Sequence, residues 1–404
     1  MRKKLLSNNF LTILAIVLGI CVGYVNIDYL NSASDVIAEL SVKLMKLIAL
    51  PLLFLSIISS AAHFKNTEQI KILGSKIVKY TVFTTLIAAV LADIIFWVAS
   101  PYLLSQELVT TNTNAQTQAT KGFFSTLLSM VPDNLLKAFL ENNVLAVVAL
   151  AILFALALLS IKEQDKKEVV FSFFSGVLSA IMRMVHVGIK FIPLSVFAFV
   201  SILTKQIAHD KSDSLNAILG LIITVISANL IQGMIILPIF LKAKKISPIQ
   251  LFLHVKEALI LAFFTRSSTA TLPLTLDVAT KNAKISDKVA QLALPLCTTI
   301  NMNGCAQFIL LSTCFVSYYT GNALDTSGHV AMIFLSVVAA IGNAGVPMGC
   351  FFLSSSILAA NDVPLYLMGS ILPLYAFIDM VETSLNVWSD VCIAKVVDKE
   401  SSSN

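Results

Sequence analysis

The feature that most constrains this chain is a succession of apolar segments, each about as long as a helix that crosses a lipid bilayer. Such a helix needs roughly 20 mainly apolar residues. The sequence is 57% hydrophobic and only 13% charged, with a mean hydropathy of +0.86, whereas a soluble domain is about 25% charged. The chain is therefore predicted to be a polytopic membrane protein. The clearest segments are 10–30, 47–63, 81–104, 143–161, 187–203 and 214–241.

Lysine and arginine are concentrated in alternate connections between these segments. Positive residues accumulate on the cytoplasmic side of a membrane, so the alternation predicts a multi-pass topology with both termini in the cytoplasm. The formal charge of +5 therefore indicates orientation rather than nucleic-acid binding. The first apolar segment is longer than a usual signal sequence and lacks a small-residue cleavage motif, which predicts a first transmembrane helix. The basic connections contain Arg2, Lys3 and Lys4; Lys65, Lys71 and Lys76; Lys162, Lys166 and Lys167; and Lys242, Lys244 and Lys245.

Two later apolar segments are interrupted in the middle. Residues 250–281 contain TRSSTATLP, and residues 327–360 contain GNAGVP. Each reads as a helix–turn–helix that enters the membrane and leaves on the same side. Backbone that is not helical at membrane depth must be buried in protein or line a cavity, and a pair of such segments is the usual pointer to a transporter's substrate site. The alternative is a pair of kinked helices.

Near the C-terminus, the stretch DMVETSLNVWSD places three carboxylates and an amide on one helix face. Asp379, Glu382, Asn386 and Asp390 are three, four and four residues apart, with Thr383 beside them, a spacing that keeps them in one stripe. Ionisable groups at membrane depth are costly and are functional candidates by default. The stripe predicts contacts to a solute or an ion. For Asp390 alone, the alternative is a solvated position near the cytoplasmic interface.

The stretch TTINMNGC, residues 298–305, interrupts another apolar segment. Gly is a poor helix former, costing about 1 kcal/mol relative to Ala, so an unwound turn with free carbonyls is expected here. A hard cation such as Na⁺ prefers carbonyl, amide and carboxylate oxygens. The Asn301 carbonyl, the Asn386 carbonyl and the Asp390 carboxylate could together form such a cage. A kinked helix with an internal hydrogen bond is the alternative.

The sequence contains no recognisable enzyme motif: HExxH, GxSxG and a Gly-rich phosphate loop are all missing, and the five His are scattered. Asp379 and Asp390 lie about 16 Å apart along a helix, too far for a catalytic dyad. The six Cys lie singly in apolar segments, which favours buried small side chains over disulfides or metal ligands. No pore-lining charge ring indicates a channel. A transporter without a cofactor is the prediction.

The ordered motifs RSSTATLP, NMNG, AGVP and DMVETSLNVWSD resemble those of the dicarboxylate/amino acid:cation symporters, the glutamate-transporter family, and the similarity extends over essentially the whole chain. It implies an all-α membrane protein with eight transmembrane helices, two re-entrant hairpins and an elevator mechanism. A static scaffold (1–70 and 105–211) would hold a mobile transport domain (71–104 and 212–397). It further implies a homotrimer embedded in lipid in the cell (inner) membrane, with the second hairpin as the extracellular gate.

The resemblance also implies roles for individual residues. Asp379 would hold the α-ammonium group of an amino acid, and Thr383 would lie beside it. The α-carboxylate would be bound by Ser267, Ser268, the backbone of Val346 and the amide of Asn386. One Na⁺ would be bound by Asn301, Asn386 and Asp390, and a second by Thr299 with the backbone of Ala340, Ile341 and Asn343.

This chain departs from the acidic-amino-acid members at the substrate side chain. Those members carry an Arg, which clamps a carboxylate through a bidentate contact, where this chain has Glu382. Cys305 replaces a Thr and fits a smaller or less polar ligand. The contexts ETSLN and AFFTRSS are similar to the bacterial serine/threonine:sodium symporter branch, so serine or threonine is the expected substrate. A cationic amino acid, or a dicarboxylate if Arg266 pairs with and neutralises Glu382, remains open, as does coupling to H⁺.

A second departure concerns the coupling ions. Sodium-coupled glutamate transporters carry an Asp at the position of Asn303, whose carboxylate completes a third Na⁺ site with helix-3 hydroxyls. Thr81, Thr84 and Thr85 could supply those hydroxyls, but a neutral amide weakens the site. One or two coupled Na⁺ are therefore expected rather than three. Asp93 has no assigned role, and a helix–helix hydrogen bond or snorkelling to the interface is the expectation for it.

Overall fold

The computed structural model of the chain describes residues 8–61, 68–103, 134–140, 144–209, 214–341, 348–361 and 363–402. All regular elements in these ranges are helices. They are α1 (Asn8–Val25), α2 (Asp28–Ala61), α3 (Glu68–Leu103), α4 (Leu135–Leu140), α5 (Val144–Leu159), α6 (Gln164–Lys190), α7 (Ile192–His209), α8 (Ser214–Ile231), a π-helical turn (Gln232–Ile236), α9 (Leu237–Ala243), α10 (Pro248–Thr265), α11 (Ser268–Lys281), α12 (Asp287–Ile300), α13 (Asn303–Tyr319), α14 (Thr326–Ile341), α15 (Gly349–Ala360) and α16 (Tyr366–Ser402).

Four helical stretches among the described residues are long and apolar enough to cross a membrane: Leu73–Ser100, Asn216–Ala243, Pro248–Thr265 and Asp287–Tyr319. Further apolar helices are shorter, and they include parts of α1, α5, α7, α14 and α15. The helical content and the apolar stretches support a multi-pass membrane protein. The count of eight spanning helices with two hairpins stays a prediction.

The segment between α5 and α7 differs from the sequence expectation. A basic connection followed by one helix at 187–203 was predicted, whereas α6 occupies most of this region. Ser, Gly and Arg interrupt its apolar residues, so no continuous apolar run reveals it. One stripe is apolar, however, because Phe171 packs in a small core with Ile58 and Leu158, while Phe173 on another face is exposed. Such one-sided burial is typical of an amphipathic helix.

Helices α10 and α11 form an antiparallel hairpin. Arg266 has a left-handed backbone (φ 53°) that ends α10, and the Ser267 hydroxyl caps α11 by accepting from the backbone N–H of Ala270 at 3.2 Å. At the far end, the Asn282 side chain donates to the carbonyl of His254 near the start of α10, at 3.2 Å. The interruption predicted within 265–273 is therefore a helix–turn–helix. Whether it re-enters the membrane stays a prediction.

Helices α14 and α15 run in opposite directions along α13. His329 at the start of α14 lies beside Cys314 near the end of α13, so these two helices are antiparallel. Cys350 at the start of α15 lies beside Cys305 at the start of α13, and the Ser312 hydroxyl bonds Ser354 at 2.9 Å, so these two are parallel. The tip predicted at 342–347 lies outside the described residues.

The long helix α16 lies at the centre of the C-terminal half, in contact with α3, α8, α10, α12 and α13. Helices α12 and α13 follow one another but are separated at Asn301 and Met302, whose backbones are not helical. All residues of α13 from Asn303 to Ser317 are buried. The break predicted within 298–305 is thus present, and it lies against α16.

Gly304, just after this break, is packed too closely for any side chain. A Cβ at this position would lie 2.7 Å from the Asn229 side-chain oxygen and 2.9 Å from the Cα of Glu382. We expect Gly304→Ala to lower the apparent thermal unfolding temperature of the detergent-solubilised protein, because backbone atoms of α16 must shift. Gly176→Ala in α6 is the matched control, since its Cβ would meet no atom within 4 Å and Ala favours a helix by up to about 1 kcal/mol. Equal unfolding temperatures for the two variants would show that the α13–α16 contact is not tight.

Candidate functional site

The polar stripe predicted at the C-terminus lies on one face of α16 and points into the protein. Glu382, Asn386 and Asp390 are almost fully buried, and Asp379 at the other end of the stripe is partly exposed. The stripe faces the non-helical turn at Asn301. A continuous helix and a broken one therefore meet at a line of polar groups inside an apolar protein.

At one end of the stripe lies the Asp390 carboxylate, which is 1% exposed. Its Oδ1 accepts a hydrogen bond from the Asn301 side-chain amide at 2.8 Å. Within the described residues, no Lys, Arg or His nitrogen lies within 4.0 Å of it. A buried carboxylate is strongly penalised unless a charge compensates it, so this end of the stripe fits a cation.

The side chain of Asn303 is held by neutral groups on both sides. Its carbonyl accepts from the Thr85 hydroxyl at 2.8 Å, and its amide donates to Ser389 Oγ at 2.8 Å. Ser389 and Thr84 also donate to the Asn301 side-chain carbonyl, at 3.3 and 3.4 Å. The structure thus brings the residues predicted for a third ion site together around neutral hydrogen bonds. Thr81 is buried one turn before them on α3.

Glu382 lies in the middle of the stripe, among thiols and a phenol. Its Oε2 accepts from the Tyr375 hydroxyl at a long 3.5 Å, and its carboxylate lies within 4.8 Å of the sulfurs of Cys305 and Cys350. Oε1 is buried without a hydrogen-bond partner among the described residues. An unpaired buried acceptor costs about 1–3 kcal/mol. This oxygen is therefore ready to accept a hydrogen bond from a bound molecule.

Asn386 connects the two ends of the stripe. Its side-chain oxygen accepts from the backbone N–H of Gly304 at 2.8 Å, which fixes the amide against the start of α13. Among the described residues, its nitrogen donates only to the sulfurs of Met302 and Cys305, each at 3.5 Å. Thioether and thiol sulfurs are weak acceptors, so this N–H group can bind a stronger acceptor such as a carboxylate.

The partly exposed end of the stripe lies near the tip of the α10–α11 hairpin. Ser384 on α16 donates to the carbonyl of Leu259 on α10 at 3.3 Å, and Thr383 donates to Asp379 at 3.5 Å. The Arg266 charge interacts with Asp379, although no ion pair within 4.0 Å joins Arg266 to Asp379 or Glu382 among the described residues. Ser267 and Ser268, at the hairpin turn, are partly buried.

The residues predicted for a second Na⁺ site are only partly described. The Thr299 hydroxyl donates to the carbonyl of Leu296 in its own helix at 2.7 Å. Ala340 is buried and Ile341 ends α14. Asn343, together with the predicted substrate contact Val346, lies outside the described residues.

Three residues at the site were not anticipated from the sequence. Ser389 bridges Asn301 and Asn303, and it lies seven residues after Glu382, so helical periodicity could have included it. Tyr375 lies seven residues before Glu382 and has the same signal. Cys350 had no local signal, because only the packing of α15 against α13 brings it to Glu382.

Comparison with known proteins identifies the family of this chain. The sequence profile of the sodium:dicarboxylate symporter family matches residues 9–400. The chain is 27% identical to the proton/sodium-glutamate symport protein of Bacillus subtilis, covering 95% of this chain and 90% of that protein. It is 24% identical to excitatory amino acid transporter 3 of Oryctolagus cuniculus (98% and 86% covered) and to a C4-dicarboxylate transport protein of Xanthomonas campestris (96% and 87%). The chain belongs to this family of cation-coupled transporters.

The burial of Asp390 generates a test with purified protein. We expect Na⁺ to raise the thermal unfolding temperature of the wild type but not that of Asp390→Asn, because a ligand stabilises only the state that binds it. In Na⁺-free buffer the variant should be as stable as the wild type or more so, since a buried uncompensated charge is removed. Asp277→Asn, which removes an exposed carboxylate paired with Lys281, is the control. A full Na⁺ response in Asp390→Asn would disprove the ion site.

Proposed function

We propose that this family member is a Na⁺-coupled symporter that carries small neutral amino acids, serine and threonine first, into the cell. The observation that carries the substrate assignment is Glu382, which is buried with an unpaired Oε1 beside Cys305 and Cys350. The coupling ion is argued from Asp390, and the family itself consists of sodium- or proton-coupled carriers. The two assignments rest on separate residues and are tested separately.

The substrate argument is electrostatic. An ionised Glu382 repels a second carboxylate on a substrate, and among the described residues no cationic side chain lies within 4.0 Å of it to compensate. A hydroxyl on a short side chain can instead donate to Oε1. The relatives named for glutamate and C4-dicarboxylates carry substrates with two carboxylates. Glu382 is the residue that would give this chain a different substrate preference.

The amino and carboxyl groups of the amino acid would bind to the polar residues of the stripe other than Glu382 and to the hairpin tip. Asp379 would bind the α-ammonium group, with Thr383 in support. The amide N–H of Asn386, which bonds only weakly to sulfur among the described residues, would bind the α-carboxylate together with the hairpin tip at Ser267 and Ser268. Asp379 is near enough to Arg266 to interact electrostatically. We assign Arg266 to controlling access at the tip, where its left-handed backbone forms the turn.

Two alternatives are favoured by specific observations. The unpaired Oε1 of Glu382 would also accept from the ammonium or guanidinium group of a cationic amino acid. A protonated Glu382 would instead donate to a carboxylate, which would allow a dicarboxylate substrate with H⁺ coupling, in line with the substrates in the names of the relatives. Uptake of serine, lysine and aspartate distinguishes the neutral, cationic and dicarboxylate proposals from one another.

We assign one or two coupled Na⁺. The first site uses Asn301, Asn386 and Asp390, and a second would use Thr299 with the end of α14. Around Asn303, the hydrogen bonds to Thr85 and Ser389 already satisfy the side-chain amide. A third cation would gain no anionic ligand from Asn303 and would have to break these neutral hydrogen bonds.

We also propose an elevator mechanism with residues 1–70 and 105–211 as scaffold and residues 71–104 and 212–397 as transport domain, in a homotrimer of the inner membrane. The packing supports this division. Helices α1 and α2 pack mainly on α5, α6 and α7, whereas α3 packs on α8 and α12–α14. The two groups meet chiefly where α7 contacts α16 and α2 contacts α15.

Exchange of Glu382 tests the substrate assignment. Wild-type proteoliposomes should take up labelled serine or threonine only with an inward Na⁺ gradient, and should reject aspartate and lysine. Glu382→Gln should reduce serine uptake at least about 10-fold, because a charge-assisted hydrogen bond is replaced by a neutral one, and Glu382→Arg should admit aspartate. Lysine uptake by the wild type that is lost in Glu382→Gln would establish the cationic alternative, and wild-type aspartate uptake the dicarboxylate one.

The interface between the two groups gives a test of the elevator motion. A Cβ on Gly369 of α16 would clash with the ring of Phe199 on α7. We expect Gly369→Ala to slow uptake while Na⁺-dependent substrate binding, measured as thermal stabilisation, is retained. The double variant Gly369→Ala/Phe199→Ala should restore uptake because the ring is removed. Normal uptake in Gly369→Ala would argue against movement along this contact.

A further inference from the structure

A second cluster of metal-ligating side chains lies away from the stripe on α16. It consists of Asp93 on α3, Cys314 on α13 and His329 on α14, with one ligand atom of each within 4.8 Å of the others. Asp93 Oδ1 lies 2.6 Å from His329 Nδ1, and Cys314 Sγ lies 4.0 Å from the same nitrogen. The cluster is about 16 Å along α13 from Asn303, so it does not belong to the substrate or ion sites.

The cluster is enclosed and held in place. Cys314 is 2% exposed and is not in a disulfide, and the side chains of His329 and Asp93 are 6% and 14% exposed. The imidazole lies against the rings of Trp97 and Phe96, with centroid distances of 4.9 and 5.5 Å. The aromatic contacts fix the ring orientation, so Nδ1 faces the carboxylate and the thiol.

We infer that Asp93, Cys314 and His329 form a binding site for a thiophilic divalent transition metal, with Zn²⁺ the best match. Thiolate, imidazole and carboxylate are the three ligand types that Zn²⁺ takes in proteins. With bond lengths of about 2.0–2.3 Å and tetrahedral angles, ligand atoms lie about 3.3–3.7 Å apart. The distances from His329 Nδ1 to Asp93 and to Cys314 lie on either side of that range, so changes of about 0.3–0.7 Å bring both into it.

The charge balance also fits. Binding requires a thiolate, so Cys314 releases its proton to solvent, and the imidazole keeps one proton, on Nε2. The hydrogen bond between Asp93 and His329 is replaced by one metal–oxygen and one metal–nitrogen bond. The charges of two anionic ligands and one divalent cation sum to zero. A neutral cluster costs less to bury than the Asp93 carboxylate alone. The fourth position is open to water.

An entry route lies at the connection between α13 and α14. His329 is in the first turn of α14, and Cys314 is near the end of α13. Asp325 in this connection is exposed, and its carboxylate accepts hydrogen bonds from the Ser327 hydroxyl and the backbone N–H of Gly328. Its backbone carbonyl accepts from the N–H of His329 at 3.0 Å, which places it next to the cluster. An anionic group at this position attracts a cation to the site.

A bound metal would join α3, α13 and α14. Helix α14 is the first arm of the second hairpin, which the resemblance to the family predicts to be the extracellular gate. On that basis, occupancy should slow transport without competing with the substrate. This consequence rests on the proposed function, whereas metal binding itself does not.

The binding test uses the purified full-length chain in detergent without Na⁺ or substrate. Zn²⁺, but not Mg²⁺, should raise the unfolding temperature, and Co²⁺ should give thiolate-to-metal charge-transfer absorption at one metal per chain. Cys314→Ser should remove this absorption and weaken binding by at least about 10–100-fold, the loss seen when even an outer-shell partner is removed. Asp93→Asn should keep the absorption but require more Co²⁺.

Cys305 and Cys350 form a rival thiol pair beside Glu382, so the double variant Cys305→Ser/Cys350→Ser is the matched control and should retain the absorption. Absorption that persists in Cys314→Ser, or that is lost in the double variant, would overturn the site, as would its absence from the wild type. Metal-free unfolding temperatures of all variants show whether each is folded.

In proteoliposomes, Zn²⁺ should lower the maximal uptake rate of the wild type but not of Cys314→Ser. Binding without this inhibition would refute the gating role, and a lack of any uptake would refute the proposed function alone.

Discussion

The burial of Asp390 and Glu382 in a largely apolar protein is the constraint on which the rest of the site depends. Carboxylates at this depth need compensating groups, and a regular helix cannot supply them because its own amides are already paired. The chain meets this need where α12 stops and α13 starts. The turn at Asn301 presents an amide to Asp390, and the start of α13 presents a backbone N–H to Asn386. Gly304 permits this approach, because no side chain fits between α13 and Glu382.

Much of this arrangement could be predicted from the sequence. Helical periodicity identified the stripe on α16, poor helix formers identified the break before Asn303, and the Ser-rich turn identified the α10–α11 hairpin. These signals are local, since they depend on spacing within one element. The same periodicity would have included Ser389 and Tyr375. The contact of Thr85 with Asn303 was expected only through the resemblance.

Other features could not be obtained in this way, because they arise from contacts between distant segments. Cys350 reaches Glu382 only through the packing of α15 on α13, and Asp93 meets His329 only because α14 lies against α3. A helix–helix hydrogen bond was one of two expectations for Asp93, and the structure supplies its partner. Helix α6 was missed for another reason, since its apolar residues form a stripe rather than a run and a search for long apolar segments does not detect it.

Helix α16 carries every polar residue of the stripe on a single uninterrupted element of 37 residues. Glu382 and Asp390 are separated by eight residues, or about 12 Å of helix, and each contacts a different set of neighbours. A change of side chain at the first position therefore leaves the surroundings of the second intact. Under the proposed function, selectivity and energy coupling are therefore separable in this architecture. An exchange at Glu382 alone would change the preferred solute, while the ion site at Asp390, and with it the driving gradient, would be kept.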